Sequence, residues 1–421
     1  MKTYAVMGLD KSGLASVQYL RAKGCRVMAW DDNPAQRERA KALGAEITDL
    51  AEGAYDCELV LTPGIGPAHK VAQRFKSHIS DIELFARDNP DATVVGITGT
   101  NGKSTTTALI HHILKSANIK AEIGGNFGTS PLALPPADVY VIELSSYQLT
   151  RCPSLRVKIG IMLNLTPDHL ERHGDMQGYA AAKANLFNGN SGTAIYGVDD
   201  EYSRAIGAQA LQKGWHTLPL NVPDTGQYES FDLTQLPTLP GAHNWQNAIA
   251  AILACRTLGL SDSVIAQGLA SYPGLAHRQQ LVAEHNGLTF INDSKATNAD
   301  ATSKALGCYD NIYWIIGGRA KAGGLNGLEG YIPRIRRAFI IGECAQEFGE
   351  WCTTHDVAHE QCGTLDVATA KAAQLAKTEK CTGAVVLLSP ACASLDQFKG
   401  YEERGTIFMS LVQNLLKGKA A

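Results

Sequence analysis

Short apolar runs separated by amphipathic stretches recur along the whole chain, and their spacing predicts three successive α/β series. From residue 1 to about 89, Thr3-Tyr4-Ala5-Val6-Met7-Gly8, Cys25-Arg26-Val27-Met28-Ala29-Trp30 and Glu58-Leu59-Val60-Leu61 read as strands between polar helical stretches, the pattern of a small parallel α/β unit. The segment Arg87-Asp88-Asn89-Pro90-Asp91 is polar, and its proline disfavours helix in the residue before it, so a boundary is placed there. A second series, 90–273, has strands expected at 93–98, 138–143 and 159–164 and helical patterns starting near Lys103 and Met176, and closes near Tyr272-Pro273-Gly274. In 274–421, Thr289-Phe290-Ile291-Asn292, Ile312-Tyr313-Trp314-Ile315-Ile316, Ala338-Phe339-Ile340-Ile341 and Ala384-Val385-Val386-Leu387-Leu388 predict a third parallel sheet. A length of 421 residues agrees with three cores.

Composition narrows the class. With 45% hydrophobic and 19% charged residues and a formal net charge of -3, the chain reads as an ordinary globular protein with no general attraction to nucleic acid or an acidic membrane. Ten cysteines are scattered from Cys25 to Cys392 without a C-x-x-C pair, which suggests neither a zinc site nor a disulfide framework but small buried side chains in a reducing compartment. The first strand-like run begins at Thr3 without a leader pattern, and no apolar run approaches the ~20 residues that span a bilayer. A cytoplasmic location is expected.

Candidate chemistry concentrates at the ends of the apolar strands. Gly96-Ile97-Thr98-Gly99-Thr100-Asn101-Gly102-Lys103-Ser104-Thr105 lies between a strand and a helical pattern, where backbone N–H groups can close around a phosphate chain, Lys103 supplies a point charge and Ser104 can meet Mg²⁺. The usual spacing would place a glycine at Ile97, so this is a variant phosphate loop; the competing reading is a glycine-rich turn, against which the strand-loop-helix context speaks. Glu143 ends a second apolar strand, where an ionised carboxylate is costly unless a cation meets it. Asp168 and His169 follow a third strand at the corresponding end, the edge at which open α/β sheets bind ligands. Lys183, within a helical pattern, reads by itself as a solvated surface lysine. Asn244 and Asn247 share one helix face, either as ligand contacts or as an N-cap and a surface amide. Near the start of the chain, Gly8-Leu9-Asp10-Lys11-Ser12-Gly13 followed by Trp30-Asp31-Asp32 is close to a dinucleotide fingerprint, but Asp10 replaces the middle glycine and obstructs a pyrophosphate. That residue and the phosphate loop argue against a nicotinamide-dependent dehydrogenase.

The spelling Gly-Thr-Asn-Gly-Lys-Ser-Thr resembles the Mur ligase and folylpolyglutamate synthase superfamily. Further matches follow in order: Glu143-Leu144-Ser145-Ser146-Tyr147-Gln148, Asn164-Leu165-Thr166-Pro167-Asp168-His169-Leu170, Lys183, His243-Asn244-Trp245-Gln246-Asn247-Ala248, His277-Arg278 and Asn292-Asp293-Ser294-Lys295-Ala296-Thr297-Asn298. Leu388-Ser389-Pro390-Ala391-Cys392-Ala393-Ser394-Leu395-Asp396-Gln397-Phe398 is similar to the D-glutamate-adding ligases in particular, and the resemblance spans nearly the whole chain. It implies a Rossmann-like UDP-binding domain (1–89), a P-loop ATPase-like central domain (90–273) and a Rossmann-like C-terminal domain that presents the amino acid (274–421).

The implied reaction joins D-glutamate to UDP-N-acetylmuramoyl-L-alanine with ATP and Mg²⁺ through an acyl-phosphate, in cytoplasmic peptidoglycan precursor synthesis, by a monomer without nucleic-acid or membrane partners. Alternatives are another amino-acid ligase of the same family and an ATP-hydrolysing switch. The resemblance assigns Gly99, Thr100, Asn101, Gly102, Lys103, Ser104, Thr105, Asn244, Asn247, Arg278, Asp293 and Lys295 to ATP, the last three reaching across on domain closure. Lys11, Ser12, Asp31, Thr62, Asn126, Ser145, Gln148 and His169 are assigned to the UDP-muramoyl substrate, and Thr297, Lys321, Ser394, Leu395 and Tyr401 to D-glutamate. Lys103, Glu143, His169 and Lys183 are the implied catalytic set. Ser104, Glu143, His169 and Lys183 would serve two Mg²⁺ sites, one dependent on carbamylation of Lys183.

Overall fold

A computed structural model of the chain describes residues 1–417 apart from Pro67, Pro237 and Ala322. The chain divides into two compact units, Met1–Leu233 with Asn244–Tyr272 and Thr234–His243 with Pro273–Ala421. The first unit holds two large sheets and a two-stranded antiparallel one, Gln227–Tyr228 with Phe231–Asp232, and the second holds a single large sheet.

The first sheet is parallel throughout and runs, edge to edge, Glu46–Ile47, Arg26–Trp30, Thr3–Met7, Glu58–Leu61 and His78–Ile79. Helix Asp81–Asp88 leaves it and ends at Asn89, whose φ of -130° and ψ of 57° lie outside the helical region, as the following Pro90 requires. The second sheet, also parallel, runs His216–Leu220, Thr193–Gly197, Ile159–Met162, Val94–Thr98, Val139–Glu143 and Ala121–Gly125. Its three central strands are buried at every position, which is why they stand out as unbroken apolar runs. The edge strand His216–Leu220 does not: it carries Pro219, and a proline is tolerated in a ladder at an edge. The strand expected at 159–164 stops at Met162, because Asn164 spends its groups on the neighbouring loop, its carbonyl accepting from Thr100 N–H and its Oδ1 from Asn101 N–H.

The third sheet runs Gln280–His285, Leu288–Asn292, Ala384–Leu388, Ile312–Gly317, Ile335–Ile341 and His359–Gly363. It is mixed rather than wholly parallel, since Gln280–His285 pairs antiparallel with its neighbour at the edge. The intervening Asn286-Gly287 has φ values of 51° and 78°, the two-residue hairpin turn that this dipeptide favours. Thr234–His243 belongs to this unit, where Cys308 donates its thiol to the Pro240 carbonyl.

Candidate active site

Strand Val94–Thr98 feeds the glycine loop, and helix Lys103–Ser116 begins directly after Gly102. Gly102 has a φ of 82°, and a Cβ there would lie 2.1 Å from Asn247 Oδ1, so both conformation and space require glycine. The loop is held from the side. Asn164 accepts from Thr100 and Asn101, while Thr100 Oγ1 accepts from Thr166 N–H at 3.1 Å. Asn164 is fixed in turn by Gln246, whose Oε1 accepts from its amide at 2.7 Å. Asn247 accepts from Thr106 and donates to Asn244, and both amides are buried, so neither is the surface side chain that helix spacing alone allowed.

Two lysines converge on this loop. Lys103 Nζ donates to the carbonyls of Gly99 (2.9 Å) and Thr100 (2.7 Å), and Lys183 Nζ donates to the same Gly99 oxygen (2.8 Å) and to Thr98 Oγ1 (3.3 Å). Lys183 is 1% exposed, the opposite of a solvated surface lysine. Burial, then the charge of Lys103, holds its pKa well below the usual lysine range, although Asp168 and Glu143 pull the other way.

Glu143, at the end of strand Val139–Glu143, is 2% exposed. Its Oε1 accepts from Asn126 Nδ2 at 2.8 Å, while Oε2 is buried without a hydrogen-bond partner. Lys103, Asn126, Ser145, Asp168, His169 and Lys183 line a single cavity, together with Pro63, Gly64, Tyr147 and Tyr179. His169 is placed by a left-handed backbone (φ 54°) at the head of the short helix Leu170–His173, with Asp168 Oδ2 3.4 Å from its Nε2. Gln148 lies behind this wall rather than on it. It is 1% exposed and closes a capping box with Ser145, whose N–H it accepts at 3.1 Å.

The first sheet carries the loop that follows Thr3–Met7. Gly8 (φ 84°) and Gly13 are packed so closely that a Cβ on Gly13 would meet the Gly8 carbonyl oxygen at 1.9 Å. Asp31 ties two loops together, accepting from Leu9 N–H (2.6 Å) and Asn33 N–H (2.8 Å). Thr62 Oγ1 donates to the Met7 carbonyl at 3.4 Å, and Lys11 and Ser12 form the first turn of helix Lys11–Ala22. These four candidates therefore meet at the carboxyl ends of neighbouring strands.

Residues 97–255 match the Mur ligase middle domain. The UDP-N-acetylmuramoylalanine--D-glutamate ligase of Paramagnetospirillum magneticum is 46% identical, over 100% of this chain and 98% of the relative. The chain belongs to the Mur ligase family. The ligase of the same name from Rhodospirillum rubrum is also 46% identical, over 99% of this chain and 95% of its own. The crystal structure of the UDP-N-acetylmuramate-alanine ligase of Thermotoga maritima, 16% identical, matches over 100% of both chains with a TM-score of 0.61 and so shares the fold.

In the second unit of this Mur ligase, Asp293 is buried beside strand Leu288–Asn292, accepting from Ser389 Oγ (2.8 Å) and Gln279 N–H (3.1 Å). Burial, only partly opposed by those bonds and by Arg278, pushes its carboxyl up to about 7. Lys321 Nζ reaches Thr297 Oγ1 at 3.5 Å, and the antiparallel bridge between Arg319 and Ala393 sets Ser394 next to the same loop. Tyr401 stands elsewhere, its ring under Lys295 Nζ (5.1 Å to the centroid) and edge-on to His277, while Leu395 is 60% exposed.

Several residues that contribute to these sites escape the motif matching. Tyr179, one helical turn before Lys183, is 1% exposed, with Lys183 Nζ 4.8 Å from its ring centroid. Arg404 is fully buried and donates to Ser294 Oγ and to the carbonyls of Ser294 and Cys392, so it fixes the loops that carry Lys295 and Ser394. Burial lowers its pKa to about 10. The sequence does hold a signal for it: Arg404 shares the four-residue spacing of Phe408 and Val412 on helix Tyr401–Leu416, an arginine in an apolar stripe.

Proposed function

We propose that this Mur ligase is the D-glutamate-adding enzyme, using ATP to activate the carboxylate of UDP-N-acetylmuramoyl-L-alanine and then coupling D-glutamate in cytoplasmic peptidoglycan precursor synthesis. The observation that carries the reading is the cavity itself. Two lysines converge on the phosphate loop at its wall, an orphaned buried carboxylate, Glu143, holds the cavity residue Asn126 and acts on the charge of Lys183, and the full-length relatives are named for this reaction. We assign the UDP-sugar to residues 1–89, ATP to 90–273 and D-glutamate to 274–421.

The residues suit Mg²⁺. Among the described residues no group of three or more His, Cys, Asp or Glu side chains forms a metal cage. Mg²⁺ bound with a nucleotide draws most of its ligands from phosphate oxygens and water, so one or two protein carboxylates suffice, and the unpartnered Glu143 Oε2 is such a group. Glu143, with Ser104, His169 and a carbamylated Lys183, would hold the metal, whose charge offsets repulsion between triphosphate and carboxylate. A low pKa favours the neutral amine of Lys183, which can attack CO₂; the new N–C bond and the loss of one proton turn that neutral amine into an anionic carbamate.

In the reaction, the glycine loop and Lys103 hold the triphosphate while Asn126, Ser145 and His169 orient the muramoyl end. Its carboxylate attacks the γ-phosphorus with departure of ADP, and the amine of D-glutamate then displaces phosphate from the acyl-phosphate, losing a proton. Thr297, Lys321 and Ser394 supply a cation and hydroxyl donors for the acceptor's carboxylates. Among the described residues no helix is long and apolar enough to cross a membrane.

The test offers D-glutamate, L-glutamate, L-lysine, diaminopimelate and L-alanine separately to the purified enzyme with ATP, Mg²⁺ and UDP-N-acetylmuramoyl-L-alanine. Phosphate release should require the muramoyl substrate and be greatest with D-glutamate. Preference for another acceptor would reject the acceptor assignment, and ATP hydrolysis indifferent to both substrates would point to a switch.

A further inference from the structure

We propose that Arg172, seconded by Arg151, is a positioning residue for the anionic sugar-nucleotide substrate, acting through the loop at residues 61–66. The inference rests on the reading that the cavity around Lys103 and Lys183 receives that substrate.

This loop leaves the carboxyl end of strand Glu58–Leu61, and its Pro63 and Gly64 form part of the wall of the reaction cavity. Thr62 ties the start of the loop to the Met7 carbonyl, and Ile65 N–H closes a turn onto the Thr62 carbonyl. The loop's carbonyls are otherwise held by a pair of guanidinium groups from the segments that flank the second sheet. Arg172 Nη1 donates to the Pro63 carbonyl at 3.1 Å and its Nη2 donates to the Ile65 carbonyl. Arg151 Nη2 donates to the same Ile65 oxygen at 3.0 Å, and its Nη1 lies 3.4 Å from the Leu61 oxygen and 3.5 Å from the Thr62 oxygen. Four carbonyls of one short loop are thus turned toward two cations.

That arrangement is costly as a mere tether. Two guanidinium groups share one carbonyl oxygen, and among the described residues neither forms an ion pair with a carboxylate. Burial, then the charge of Arg172, lowers the pKa of Arg151 to about 10, and burial lowers that of Arg172 against the opposing pull of Tyr147 and Glu171. Two guanidinium groups held at a cavity edge by carbonyl oxygens and, among the described residues, by no carboxylate contact keep their charge available to an anionic ligand. Arg172 is itself aimed by two further features. It lies three residues after His169 on helix Leu170–His173, and its guanidinium stacks 3.8 Å from the centroid of Tyr147, another cavity residue. The Arg172 fork therefore couples the loop of the first sheet to the His169 segment, setting how far the sugar end sits from the phosphate loop. A lysine cannot reproduce this, because one ammonium lacks the planar fork that meets two carbonyls.

The test is steady-state kinetics on the full chain, with each of ATP, D-glutamate and UDP-N-acetylmuramoyl-L-alanine varied in turn, for wild type, Arg172→Met and Arg172→Lys. Expected is a KM for the sugar nucleotide raised at least about tenfold in Arg172→Met and by a smaller factor in Arg172→Lys, with the KM values for ATP and D-glutamate within about twofold of wild type. A sugar-nucleotide KM unchanged in Arg172→Met, or equal rises in all three KM values, overturns the proposal. Should Arg172→Met fail to fold, Arg172→Lys decides alone, and a wild-type KM in that variant overturns it too. Failure of the underlying reading looks different: wild type itself would then release no phosphate in response to the muramoyl substrate and D-glutamate.

Discussion

Lys183 owes its chemistry to its surroundings. In water its ammonium would be stable; here it is 1% exposed, shares the Gly99 carbonyl with Lys103, and is held well below its usual pKa chiefly by burial. A neutral amine is the nucleophile that captures CO₂, and the resulting carbamate would exchange repulsion against Lys103 for attraction. Lys183→Ala is therefore expected to lose at least about a hundredfold in turnover, because it removes a charge made for the transferring phosphoryl group, and short carboxylic acids should restore part of the rate by occupying the vacated space. Turnover measured with and without added acetate checks this, and an active-complex crystal structure showing only a free ammonium would remove the carbamate from the mechanism.

At the level of elements, the phosphate loop is shaped by packing as much as by its own glycines. Helix Lys103–Ser116 can begin at Lys103 because Gly102 takes a φ of 82°, and Gly102 has no room for a methyl group because Asn247, from helix Ala242–Thr257, occupies the space. Gly102→Ala should cost about 1–3 kcal/mol in backbone strain before any clash is counted, and should displace Asn247 from Thr106. The expected result is a thermal transition lowered by a few degrees together with a fall of at least about tenfold in ATP-dependent turnover. Wild-type values for both in calorimetry and phosphate-release assays would show that the loop tolerates a side chain and that its glycines are incidental.

For the molecule as a whole, the second unit couples its stability to pH through Asp293. Its carboxyl is raised from an ordinary 3.8 to about 7 by burial, so between those values the folded protein holds a proton that the unfolded chain has released. Stability from this group is complete below about pH 4 and is lost as pH rises through 7, by roughly 1.4 kcal/mol per pH unit in that window. Asp293→Asn keeps the shape without the ionisation. Denaturation of wild type and variant at several pH values between 4 and 8 should show the variant gaining on wild type as pH rises; parallel curves would mean that Asp293 is compensated in the folded state.

The strands at the centres of the three sheets were legible in the amino-acid order, because residues buried on both faces must be apolar without interruption, and so was the phosphate loop, because a strand, a glycine turn and a helix are a local arrangement. Edge strands such as His216–Leu220 are half polar and carry no apolar run, and the antiparallel edge Gln280–His285 has its only sequence signal in the Asn286-Gly287 turn. The family motifs named Lys183, Glu143 and Asn247, but their spacing said nothing of burial. Periodicity even cast Lys183 as a surface residue. That its amine meets Gly99 beside Lys103, that Glu143 Oε2 lacks a partner, that Gln148 caps a helix instead of lining the cavity, and that two arginines close on one loop are all contacts between residues distant in sequence. Local order sets backbone preference and the apolar pattern; pKa, desolvation and unsatisfied charge depend on which distant groups the chain brings within a few ångströms, and that only the tertiary structure decides.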